Sequence, residues 1–265
     1  MNIVSKHVLA ALLSCAALGA LGSVAVAADA KADAAAPAYY EAPKNAPKYI
    51  RAAVDAPRPP LDMSIDKSRK PAELLMLSGI KPGDKVVEFA SVGQYFTTLF
   101  SSVVGPKGKV YMYDLPYTEA RAGAKSRAFV AAHPNSQYEL VDYNALQLPK
   151  NVDIVFNVLY YHDLPLNNID TASLNKRIFE ALKPGGIFFI VDHNAAPGSG
   201  TRDTKALHRI DPEVIKKEVT AAGFELVTES KLLANPEDDH TKLVFAPGLR
   251  RHTDQSVFKF RKPKK

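Results

Sequence analysis

The strongest constraint on the fold is a pair of runs, VDIVFNVLY at 152–160 and IFFIVD at 187–192. Both are apolar almost without interruption and rich in β-branched and aromatic residues. A strand with one wet face alternates in polarity, whereas an unbroken apolar run belongs to a strand covered on both faces. Further strands are expected at 85–90, 109–114 (KVYMYD) and 138–142 (YELVD). Helical segments fall near 71–78, 95–104, 118–132, 170–182 and 211–222. This alternation predicts a mostly parallel sheet wound by helices. The end of the chain differs. The segments 223–233 and 241–246 read as two more strands, joined by the short loop ANPEDDH and forming an antiparallel hairpin at one sheet edge.

The amino-terminal residues point to export. Lys6 and His7 precede an apolar run from Val8 to about Val26, which closes on Ala25-Val26-Ala27. A basic start, an apolar middle and an A-x-A close describe a secretory signal peptide over 1–27. The expected location is therefore periplasmic or secreted, with no transmembrane span after cleavage. Cleavage would remove Cys15, the one cysteine of the chain, and with it any disulfide, thiolate metal site or cysteine nucleophile. Residues 28–60 are rich in Ala and Pro and read as a linker or surface arm, 61–250 as one domain, and 251–265 as a basic tail. The formal charge of +6 is dispersed apart from that tail. Interleaved basic and aromatic residues are not evident, so a nucleic-acid partner is not expected, and nothing specifies an oligomeric state.

Several stretches carry a family resemblance. IKPGDKVVEFASVGQYFTTLF, GKVYMYD, VDYNALQLP, IFEALKPGGIFFIVDH and EVTAAGFELV resemble, in order, the motifs of class I S-adenosylmethionine-dependent methyltransferases. The KPGG turn before a strand, followed later by AGF, is the most specific combination. RKPAELL, YYHDLP, VDHNAAPGSG, LHRID and NPEDDHT are similar to a bacterial group of exported proteins predicted to be methyltransferases. The resemblance implies a Rossmann-like α/β fold, S-adenosylmethionine as cofactor and a small-molecule substrate.

It also implies a cofactor site. Asp114 ends the second strand, where a carboxylate meets ribose hydroxyls, and Leu115 follows it. Asp142 ends the third strand, where the family's acid meets the adenine amino group, with Tyr143 beside it. Glu88, Ala90, Gly93 and Tyr95 belong to the first strand and its loop, and Asn157 to the fourth strand. Each acid taken alone reads more readily as a strand-end cap than as a ligand-binding group; the two together, in order, favour a site. The loop departs from the family, because Ala90, Val92 and Gln94 stand where glycines are usual. Val92 and Gln94 are expected to resist a left-handed backbone and to push a ligand away, reducing or abolishing affinity.

In an open α/β sheet, ligands sit beyond the carboxyl ends of the strands. His162-Asp163, Asp192-His193, His208 and Asp238-Asp239-His240 should gather there. His162 is the first candidate for a general base and His193 the second, with Asp163 or Asp192 orienting the imidazole. A loop histidine beside an Asp is also commonly only a capping element. His162, His193, His208, His240 and the neighbouring Asp residues could alternatively bind a divalent metal, although no H-x-x-x-H or H-E-x-x-H spacing supports it and no metal ligand set is assigned. G-x-S-x-G and G-x-x-x-x-G-K-[ST] are both missing. Two functions follow. One is methyl transfer to a small oxygen or nitrogen nucleophile; the alternative is a non-catalytic exported protein that binds a small molecule or metal on the same fold.

Overall fold

A computed structural model describes residues 40–264. The expected leader at 1–27 and the first part of the expected arm lie outside the described residues. No helix among the described residues is long and apolar enough to cross a membrane.

The first described helix, α1 (Lys48–Asp55), falls inside the stretch read as a linker or arm. Ile50, Ala53 and Val54 are buried on it, an i, i+3, i+4 stripe that the Ala/Pro-rich composition hides. It joins the core with α4 (Pro71–Ser78), after the short turns α2 (Pro60–Ser64) and α3 (Asp66–Arg69). Pro71 opens α4 at a position whose N–H needs no partner, and Gly79 closes it at φ 82°.

The sheet then begins with β1 (Lys85–Phe89), followed by α5 (Tyr95–Val104), β2 (Lys109–Asp114), α6 (Ala124–Ala132), β3 (Ser136–Leu140), β4 (Val152–Val158), α7 (Thr171–Ala181) and β5 (Leu182–His193). After α8 (Thr204–Leu207) and α9 (Pro212–Ala221), β6 (Glu225–Ser230) and β7 (Gln255–Arg261) complete it. The seven strands lie in the order β3-β2-β1-β4-β5-β7-β6. All pairings are parallel except β5 with β7 and β6 with β7. The expected mostly parallel sheet with an antiparallel carboxy-terminal pair is therefore observed.

Alternation along each strand builds two cores. Val86, Phe189 and Val191 pack with α1, α4 and α5 on one face. Val87, Phe89, Phe188 and Ile190 pack with residues of α7 and α9 on the other. Phe100 of α5 stacks on Phe156 of β4 with ring centroids 4.1 Å apart. The strand order reverses between β1 and β4, and a crevice opens at their carboxyl ends.

The closing strands depart from expectation. The last strand is 255–261 rather than 241–246, and it lies in the middle of the stretch read as a tail. In TKLVFA only Val244 is well buried, while Leu243 and Phe245 are exposed, so no face of that segment supports sheet packing. Two of the cations that made 259–262 look like a tail find backbone acceptors, and Arg261 pairs with Glu225 of β6. Lys259 Nζ donates to the Leu77 carbonyl at 3.0 Å and Lys262 Nζ to that of Leu182 at 2.7 Å. The connection from β6 to β7 is correspondingly long and folds over the strand ends. The buried pair Arg209–Asp238, 2.9 Å apart, pins it there.

Candidate functional site

A cavity of about 600 Å³ lies at the switch between β1 and β4, within the size range of small-molecule sites. Glu88, Ala90, Tyr95, Leu115, Tyr143, His162, Asp163 and His193 line it. Gly93, Asp114, Asp142 and Asn157, also expected at the site, do not.

The loop after β1 keeps a glycine-like path without the glycines. Ala90, Gly93 and Gln94 have φ of 55°, 94° and 56°. Val92 is not among the left-handed residues, so its branched side chain meets no such strain there. Gln94 turns away from the cavity and donates from Nε2 to Ser126 Oγ at 2.9 Å. The expectation that these two side chains displace a ligand is thus not met for Gln94, and Val92 remains one wall of the cavity. Tyr143 supports the loop from below. Its hydroxyl donates to the Tyr113 carbonyl at 2.6 Å and accepts from the Ala90 amide at 3.2 Å. The left-handed conformations of Ala90 and Gln94 cost about 1–2 kcal/mol each, which such contacts help offset.

The two strand-end acids behave differently from expectation. Asp114 is fully buried, and its Oδ1 accepts from the Ser91 amide at 2.7 Å and the Ser91 hydroxyl at 3.1 Å. It therefore braces the loop instead of facing the cavity. Its Oδ2 is buried with no hydrogen-bond partner among the described residues. Burial lifts this carboxyl above its ordinary range, against the Ser91 hydrogen bonds and the charge of Arg121. Asp142 is exposed and accepts from the Asn144 amide at 2.9 Å in a local turn. It lines a shallow neighbouring pocket that shares Leu115 and Tyr117 with the main cavity. Asn157 is buried within β4, between Phe89 and Ile190 in register, and Gly93 offers its carbonyl to Lys125.

Glu88 faces the cavity from β1, with Thr97 Oγ1 donating to its carboxyl at 2.6 Å. Burial pushes this acid up to about 8, so it is largely protonated at neutral pH. Tyr95 donates to Asp66 at 2.6 Å, and Asp66 in turn pairs with buried Arg58.

The histidine after β4 and the one that ends β5 meet on the opposite wall. His162 Nδ1 lies 2.7 Å from Asp192 Oδ1, and the His162 amide donates to Asp192 Oδ2 at 2.7 Å. Asp192 is thus the orienting acid, and Asp163 sits at the other ring nitrogen, 3.3 Å from Nε2. Burial opposes a charge on His162, but Asp192 outweighs it and holds the imidazole above its ordinary value. His193 lies beside it, with ring centroids 5.8 Å apart, and its Nδ1 is 2.7 Å from Thr253 Oγ1. Burial drives His193 down to about 3, which makes it a neutral cavity wall. His208 joins His162 and Asp163 in the cavity. His240 does not: it pairs with Asp254 at 3.0 Å in the long connection.

Arg69, Tyr117, Arg121 and Phe245 also line the cavity and were not anticipated. Arg69 stacks on the Tyr95 ring at 4.9 Å. Nothing local in the sequence marks these four; they arrive from an amino-terminal turn, the segment after β2 and the closing connection.

Sheet order, winding and cavity position define the class I methyltransferase fold. A methyltransferase from Aquifex aeolicus described as S-adenosylmethionine-dependent superposes with TM-score 0.54 at 16% identity, covering 79% of this chain and 97% of that one. The [4+2]-cyclase SpnF superposes with the same score at 14% identity, over 77% of this chain and 82% of its own. In sequence, the chain is similar to the ubiquinone/menaquinone biosynthesis C-methyltransferase UbiE of Ectopseudomonas mendocina. The two are 26% identical over 184 residues, 69% of this chain and 64% of that protein. The chain thus spans just under two thirds of that relative's length. No protein-family model matches the chain. The comparisons thus show the class I methyltransferase fold and a distant sequence similarity to C-methyltransferases.

Proposed function

We propose that the protein is an S-adenosylmethionine-dependent methyltransferase acting on a small-molecule oxygen or nitrogen nucleophile. The observation that carries this reading is one cavity bounded on one side by residues 90–92 of the glycine-like loop and on the other by His162, whose ring Asp192 orients. The leader-like sequence at 1–27 makes export part of the reading.

The residues present fit the cofactor. The cavity volume suits a nucleoside-sized ligand, and the loop backbone keeps the handedness that glycines would supply. Glu88, the loop backbone, Leu115 and Tyr117 would hold it. Asp114 contributes by fixing Ser91 beneath it. When bound, the cofactor supplies an electrophilic methyl group on a sulfonium. His162 stands across the cavity with Asp192 fixing Nδ1, which leaves Nε2 to take the acceptor's proton. His193 and Phe245 wall the space in which the acceptor is aligned.

The test is calorimetric titration with S-adenosylhomocysteine. The wild type should bind, and Val92→Trp, which adds bulk to the cavity wall without altering a left-handed position, should weaken binding at least tenfold. A wild type that does not bind overturns the reading. The fold would then serve another reaction or simple ligand binding, as its likeness to a cyclase allows.

A further inference from the structure

His162 Nε2, Asp163 Oδ1 and His208 Nδ1 form a triangle with all three sides 3.3 Å. Charge-assisted hydrogen bonds between such groups run to about 2.7–2.9 Å, as the 2.7 Å contact of His162 with Asp192 illustrates. The two sides that meet Asp163 are too wide for that explanation, and the His162–His208 side is at the long end of a hydrogen bond. The triangle does match another geometry. Ligands about 2.0–2.1 Å from a tetrahedral zinc ion stand about 3.3–3.4 Å apart, whereas octahedral neighbours at the same bond length stand about 2.9–3.0 Å apart.

We infer that these three atoms form a divalent-cation site of zinc type, with its fourth position open to the cavity. Several independent features agree. Two imidazole nitrogens and one carboxylate oxygen are a donor set that suits zinc, and three protein ligands leave room for a water or substrate oxygen. The remaining nitrogen of His162 is held by the buried carboxylate of Asp192, the outer-sphere partner that metal-binding histidines usually have. His208 is held in place for the role. Its backbone is left-handed at φ 53°, its amide donates to Thr204, and the next residue, Arg209, is anchored on Asn194, Lys242 and Asp238. All three ligands line the same cavity, so the open position faces it. An acceptor hydroxyl bound there would lose its proton more readily through the cation, and His162 would serve as ligand instead of free base.

This site stands apart from cofactor binding and is tested apart from it. The full chain is stripped with a chelator and titrated with Zn²⁺ against a chromophoric competitor, with elemental analysis for stoichiometry. One equivalent should bind. His208→Ala and Asp163→Asn should each weaken binding at least a hundredfold, while His133→Ala, far from the cavity, should leave it unchanged. Co²⁺ should give the intense visible bands of a four-coordinate centre. Absence of stoichiometric Zn²⁺ uptake by the wild type overturns the site, as does uptake that both ligand variants retain. S-adenosylhomocysteine binding by metal-free protein would in that case leave His162 as the base, so the two readings fail separately.

Discussion

Asp192 holds His162 at two points, accepting from its backbone amide and meeting its ring Nδ1, both at 2.7 Å. The first contact fixes where the residue starts and the second fixes how its ring is turned. Burial alone would raise this carboxyl, but His162 outweighs that effect and keeps it ionised. Asp192→Asn retains the shape while replacing one acceptor oxygen by a donor. Zinc affinity should fall roughly ten- to hundredfold, with the far-ultraviolet circular dichroism unchanged. Equal affinity in competition titration would show that the carboxylate does not position the ring.

Glu88 should leave a signature in stability against pH. Its acid is raised by burial from an ordinary 4.5 to about 8 in the folded chain. Below about 4.5 both folded and unfolded states hold the proton. Between there and about 8 only the folded state does, so stability falls as pH rises across that window. Glu88→Gln cannot ionise and should remove this contribution, which amounts to a few kcal/mol at most. Urea unfolding of both proteins at pH 5 and pH 8 measures it. A variant whose pH slope equals that of wild type rules the carboxyl out as the source.

The Arg209–Asp238 pair should behave as a buried ion pair that matters most when halved. Both side chains are almost completely inaccessible, and two guanidinium nitrogens reach the two carboxylate oxygens at 2.9 Å. Asp238→Ala strands the guanidinium and should cost roughly 3–5 kcal/mol. Adding Arg209→Met to Asp238→Leu should recover most of that loss. Urea midpoints of the single and double variants decide it, and a double variant as unstable as Asp238→Ala alone would refute the explanation.

Much of the architecture was readable because burial on two faces writes itself into composition. The unbroken apolar runs of β4 and β5 could only belong inside a parallel sheet. The antiparallel end was legible as a kind of structure but not as a position. TKLVFA carries a strand's residues, yet the long connection is tied down through Asp238 and Asp254, contacts far apart in sequence. Conversely, Lys259 and Arg261 disguised β7, since only the fold shows that the Leu77 carbonyl awaits Lys259. Within the site, His162, Asp163 and His193 could be named from their place after β4 and at the end of β5. Which acid orients which ring could not, because Asp163 is the sequence neighbour and Asp192 the spatial one. The roles of Asp114 and Asp142 were likewise hidden, as a strand-end carboxylate turns inward or outward according to its nearest amide.

The left-handed Ala90 and Gln94 have a consequence for the denatured chain as well as the native one. Glycine at those positions would roam widely before folding, whereas alanine and glutamine sample fewer shapes and so arrive with less disorder to surrender. That saving is set against the strain of about 1–2 kcal/mol that a side chain in the left-handed region carries, so the turn holds its shape only while neighbours such as Tyr143 and Ser126 hold it.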